Sequence, residues 1–188
     1  MRGTGSDTVV LDEVFVPDGA VSLVRPAGQW HPVWNTVIGA AMPLIMSVYV
    51  GVAEAAADKA VELVRGRPDA EGSAAPIGQM LNELHTASDV LDAMVALSDD
   101  LQFTNTDDLS AAVLSRKTVV AEAAIATVRA AMDVVGGASY STSTGLERLY
   151  RDVHGALHHP LPAARQRVFT GRVALGLAPM PAVTHPVP

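Results

Sequence analysis

The sequence predicts a mainly α fold, an up-and-down helical bundle behind a short N-terminal β segment. Three observations carry that expectation. Hydrophobic residues make up 49% of the 188 and aromatics only 4%. Much of the hydrophobic share is alanine, the residue with the best helix propensity, which suits closely packed helices. Apolar residues recur at spacings of three and four over long stretches, which places them on one helix face. Glycine and proline gather between those stretches, where they interrupt helices.

Residues 8–17 (Thr8-Val9-Val10-Leu11-Asp12-Glu13-Val14-Phe15-Val16-Pro17) are β-branched, partly alternating and closed by proline, so they read as one strand or two short ones. A lone strand is not stable in water, so this segment implies a larger sheet. Residues 18–31 carry Gly19, Pro26 and Gly28 and read as a linker that ends before Pro32. A first helix follows over 32–64, apolar nearly all round at its start and one-sided later. From Val37 to Ala53 it approaches the roughly 17–25 apolar residues of a membrane span. Pro43, two glycines and Ser47 lie within that stretch, and no basic flank follows, which favours a buried core helix.

A loop with Gly66, Pro68 and Gly72 leads to a second helix over 75–101, with Ile77, Leu81, Leu84, Ser88, Leu91 and Val95 as its seam. Thr106 or Asp107 caps a third helix. Its seam is Leu109, Val113, Val120, Ala124, Ala131 and Val135, and Gly136 or Gly137 ends it. Two shorter helices are expected over 146–157 and 162–177. The tail from Ala178 holds four prolines and reads as an arm or a disordered end. The first helix carries too much apolar circumference for a lone bundle. That predicts a second subunit or a further domain against it, hence a homodimer or tetramer.

Composition excludes several classes. The net charge is −7 and no basic stripe is visible, so nucleic acid is not expected as a partner. There is no cysteine, hence no disulfide and no thiolate metal site. The first residues lack an apolar signal core, which points to a cytoplasmic protein. His31, His85 and His154 have no metal-ligand spacing. His154 and His158 are four apart, but Gly155 and Pro160 break the helix that would bring them together, so no metal is expected.

Several motifs then fall in a telling order. Arg2-Gly3-Thr4-Gly5-Ser6 and Val10-Leu11-Asp12-Glu13-Val14-Phe15-Val16-Pro17 are followed by Pro43 with Val50-Gly51-Val52-Ala53, by Arg67, by Gly136-Gly137 and by Arg151-Asp152. This order resembles the acyl-CoA dehydrogenase superfamily over nearly the whole chain, from the last strands of its middle β-domain through its C-terminal helical domain. The resemblance implies a division into a β remnant and linker over 1–31, a helical bundle over 32–177 and a proline-rich tail over 178–188. It implies a truncated chain, with an N-terminal helical domain and most of the β-domain supplied elsewhere, by a separate chain among other sources. It also implies a flavin cofactor, FAD or FMN, at a subunit boundary, with Gly136-Gly137 of one chain and Arg67 of another at its pyrophosphate.

Taken as residues, these positions have plainer readings beside the functional ones. Gly136-Gly137 is also a helix C-cap, and it equally lets a backbone approach a ligand without a Cβ in the way. Arg67 is also a loop arginine, and it offers a planar donor fork to a pyrophosphate. Arg151-Asp152 reads as a structural ion pair. The family's catalytic carboxylate, which takes a proton α to a thioester carbonyl, would fall on Pro160, and its alternative position on Gly39, with Ile38 and Ala40 beside it. None of these is an acid. His159, next to Pro160, resembles instead the flavin-monooxygenase branch, where a histidine assists the reaction. A histidine suits that work because its pKa lies near working pH. Two functions stand: a flavin-dependent oxidoreductase of that branch, incomplete and inactive as an isolated chain, with His159 catalytic and Arg67, Gly136 and Gly137 binding cofactor; or a non-enzymatic helical interaction module derived from such an enzyme.

Overall fold

A computed structural model describes residues 7–181. Five α-helices follow one another: α1 (Val33–Arg65), α2 (Ala74–Ser98), α3 (Asp107–Val135), α4 (Leu146–Val153) and α5 (Ala163–Ala174). The short joints at 66–73 and 99–106 turn α1, α2 and α3 back on one another as a three-helix bundle. The third helix is its axis. It packs most extensively against α1 and α2, then takes α5 and α4 on its remaining sides.

Each boundary has a local cause. The side chain of Thr106 accepts the amide of Leu109 at 3.1 Å and caps α3. Gly136, at φ 74° and ψ −153°, stops it. That region is open essentially to glycine alone. The second helix ends at Ser98, three residues short of the expected Leu101, because Asp99, Asp100 and Leu101 all take positive φ and turn the chain left-handed. The two short C-terminal helices finish in tighter or irregular turns, at Val153 and Ala174.

Pro43 sits buried inside α1 without breaking it. Proline has no N–H, so the carbonyl four residues earlier, on Gly39, loses its helical donor. The Ser98 hydroxyl donates to that carbonyl at 2.7 Å from the end of α2. Gly39 also lies directly under the Phe103 ring. A Cβ built there would come within 2.6 Å of it.

The seam of α3 is as expected in Val113, Val120, Ala124, Ala131 and Val135, and burial extends well beyond it. The seam of α2 is rotated. Its innermost line is Met80, Ala87 and Met94, while Ile77, Leu81, Leu84 and Leu91 are half-buried and Val95 is exposed. Methionine and alanine fill the contact, and the branched side chains flank it. The first helix is long and apolar enough to cross a membrane by length and composition. One face of it, from Asn35 through Met46 and Ala53 to Val64, is nonetheless buried in the bundle as a core helix is.

Among the described residues there is no strand. The expected β segment has no regular structure from 7 to 17, and Val9, Val10, Leu11, Val14, Phe15 and Val16 are all exposed. Its backbone has no neighbour to pair with, which is what a lone strand lacks. Arg2, Gly3, Thr4, Gly5 and Ser6, and the end of the tail beyond Pro181, lie outside the described residues.

Candidate functional site

His159 follows the last turn after α4, and its Nε2 lies 2.7 Å from the hydroxyl of Tyr49 on α1. The rings meet edge to face at 5.4 Å. Tyr49 is 6% exposed. Burial holds its phenol above the ordinary value, so it keeps its proton. Burial first, then the nearby Lys117 ammonium and His158, push the His159 imidazole below its usual pKa.

Lys117 escaped the sequence reading. It lies on α3, is 1% exposed, and its Nζ donates to the Leu161 carbonyl at 3.3 Å. No carboxylate pairs with it among the described residues. Burial lowers its pKa, since a desolvated ammonium is disfavoured. The signal was present: the seam positions Val113 and Val120 leave a gap of one turn, and Lys117 fills it.

Arg67 and the glycine pair come together within one chain. Both terminal nitrogens of Arg67 donate to the Val135 carbonyl of the same chain, each at 3.3 Å. Arg67 therefore offsets the C-terminal end of α3 beside Gly136 within the same chain. Of the two glycines, Gly136 has the positive φ. Gly137 does not, and a Cβ on either would meet nothing within 4 Å. The same turn contains Ser139, whose hydroxyl is buried with no partner. An exposed glycine turn, a neighbouring guanidinium and an orphaned hydroxyl fit an anionic cofactor segment.

The two groups of residues do not form one cluster within a chain. Lys117 and Val135 lie about 27 Å apart along α3 at helical rise, so His159 sits far from Gly136 and Arg67. Arg151 and Asp152 pair at 3.4 Å with Arg151 well exposed, a surface contact worth roughly 0–1 kcal/mol at most. His154 bonds back to the Tyr150 carbonyl and His158 is exposed. At Gly39 the Phe103 ring occupies the space that an acid would need.

The sequence profile of the acyl-CoA dehydrogenase C-terminal domain matches residues 34–156. The chain belongs to the acyl-CoA dehydrogenase family. YdbM of Bacillus subtilis, provisionally named an acyl-CoA dehydrogenase, is 33% identical over 174 residues, covering 85% of this chain and 42% of that protein. The amino sugar nitrososynthase DnmZ of Streptomyces peucetius is 33% identical over a 198-residue alignment, covering 94% and 46%. KijD3, solved with FMN and dTDP-3-amino-2,3,6-trideoxy-4-keto-3-methyl-D-glucose, superposes with a TM-score of 0.61 at 31% identity, over 76% of this chain and 38% of that one. The chain thus spans less than half the length of the curated relatives it matches. It is the family's C-terminal helical domain.

Proposed function

We propose that this domain binds flavin and builds the oligomer of a flavin-dependent oxidoreductase of the monooxygenase type. The observation that carries the reading is the reacting position itself: Pro160 and Gly39 supply no carboxylate, and His159 stands there instead, bonded to Tyr49. The likeness to DnmZ and KijD3, a nitrososynthase and an FMN complex, supports the same branch. FAD or FMN, when bound, would supply electron transfer to substrate or oxygen. The open turn at Gly136-Gly137 and the Arg67 guanidinium would hold its phosphate, and His159 would face its reacting end. In this reading the flavin lies at a subunit boundary of a homodimer or tetramer, with His159 from one chain and the Arg67–Gly136 pair from the other.

The domain division follows the same reading, with 1–31 leading in from a β-domain, 32–177 the bundle and 178–188 a tail. The remainder of such an enzyme comes from a separate chain or adjoining sequence, and the isolated chain does not oxidise acyl-CoA thioesters. The setting is cytoplasmic, without nucleic acid or membrane. The partial span relative to its kin favours one other reading, a helical interaction module without flavin. Titration with FAD and with FMN separates the two. Saturable binding that weakens in Gly136→Ala and Arg67→Ala supports the flavin site; no binding at millimolar flavin by an assembled oligomer leaves the module.

A further inference from the structure

His159 has two ring nitrogens, and the structure distinguishes them. Nε2 faces the Tyr49 hydroxyl at 2.7 Å, while Nδ1 has no hydrogen-bond partner among the described residues. The buried phenol has one hydrogen to place, and Nε2 is the acceptor within reach. A neutral imidazole carries its proton on one nitrogen and a lone pair on the other. If Nε2 carried the proton, the Tyr49 oxygen would accept it, and the buried hydroxyl hydrogen would be left with no acceptor among the described residues, which native structures avoid. The tautomer is set by the bond the other nitrogen makes.

We propose that His159 meets its ligand as a hydrogen-bond donor through Nδ1–H, with Tyr49 fixing that tautomer and Lys117 anchoring the loop that carries the ring. The ligand group it would take is an oxygen that bears or develops negative charge. A general base must gain a proton, and everything around this ring opposes that. Its Nε2 lone pair is engaged. Burial acts first on the ring, then the Lys117 ammonium and His158, and no carboxylate among the described residues offsets them. Lys117 holds the Leu161 carbonyl two residues further on, so the same cation that discourages a second proton also fixes the backbone. Tyr49 and Lys117 are positioning residues in this arrangement. That the ligand belongs to a flavin reaction rests on the proposed function; the tautomer does not.

The test is nitrogen-detected NMR of the chain labelled on histidine nitrogens, with His159 assigned by loss of its signals in His159→Gln. At neutral pH the wild type should show Nδ1 as the protonated, pyrrole-type nitrogen and Nε2 as the bare, pyridine-type one. Tyr49→Phe keeps the ring and removes the hydroxyl, and should shift the population toward the Nε2–H form. Wild-type protein with its proton on Nε2 would overturn the proposal without any variant, and so would an unchanged tautomer in a folded Tyr49→Phe. Lys117→Met should broaden or split the Leu161 and His159 signals through loop motion; sharp, unmoved signals would remove Lys117 from the unit. Flavin titration failing while the Nδ1–H form is found would sink the flavin reading alone.

Discussion

The two halves of α3 are built differently. Toward its C-terminus, Ala124, Val128 and Ala131 lie in one buried cluster with Ala53, Ala56, Ala57 and Ala60 of α1. Small side chains let helices approach closely, and this half is almost free of polar groups. Toward its N-terminus the bundle is opened by Met42, Met46, Tyr49 and Phe169. Polar groups thread through it: Asn35, Ser110, Lys117, Thr118 and Gln166 are all buried. Most are bonded in sets, as where Thr118 donates to Gln166, whose amide donates in turn to Ser115 and Thr170. The alanine ladder acts as a strut, and His159, Tyr49 and Lys117 lie in the half where larger side chains hold the helices apart.

Variants can break or sharpen that contrast. The largest effect is expected at Phe169, fully buried and edge to face with Trp30 at 4.8 Å. Phe169→Ala should lower unfolding free energy by about 3–5 kcal/mol, read by denaturant titration, and it should loosen the half that carries His159. In the ladder, Ala124→Leu should cost about 1–3 kcal/mol by overpacking. If the melting temperature is unmoved, the ladder is not close-packed and the contrast fails. Gly39→Ala should cost only about 1 kcal/mol, at the low end for overpacking, because the Phe103 ring is half-buried and can swing outward. Adding Phe103→Ala should cancel the penalty of the alanine at 39 in a double-mutant cycle.

The smallest effect concerns pH. The His159 pKa in the folded chain lies below 6.5. The unfolded chain therefore takes up the proton first, and stability present above 6.5 is lost as pH falls through the folded value. Lys117→Met should raise that folded value toward 6.5 and shrink the loss, seen in denaturant midpoints across the acid range. Its stability at neutral pH should hold or rise, since an apolar chain replaces a buried unpaired cation.

Most of the fold was legible because helix boundaries are local: the cap at Thr106 and the stop at Gly136 need only neighbouring residues. The seam of α2 was misread because leucine and isoleucine were ranked above methionine and alanine, whereas contact distance favoured the latter. The β reading of residues 8–17 took local propensity for structure that only a partner strand can supply. His159 could be singled out through its neighbour Pro160. Tyr49 could not, since it meets His159 across 110 positions of sequence. Lys117 interrupts the apolar seam between Val113 and Val120, and only the packed helices show that its side chain is buried there. Arg67 and Val135 are 68 positions apart in sequence, and only the packing of α1 against α3 brings the guanidinium to the carbonyl beside Gly136.

Asn35 accepts from the Trp30 indole and the Ser110 hydroxyl, and donates to Asp107. A tug on the segment ahead of Trp30 therefore reaches the start of α3, the helix on which Lys117 rides, as well as the first turn of α1. Whatever pulls on the linker pulls on the floor of the site, and Asn35 is the coupling pin between them.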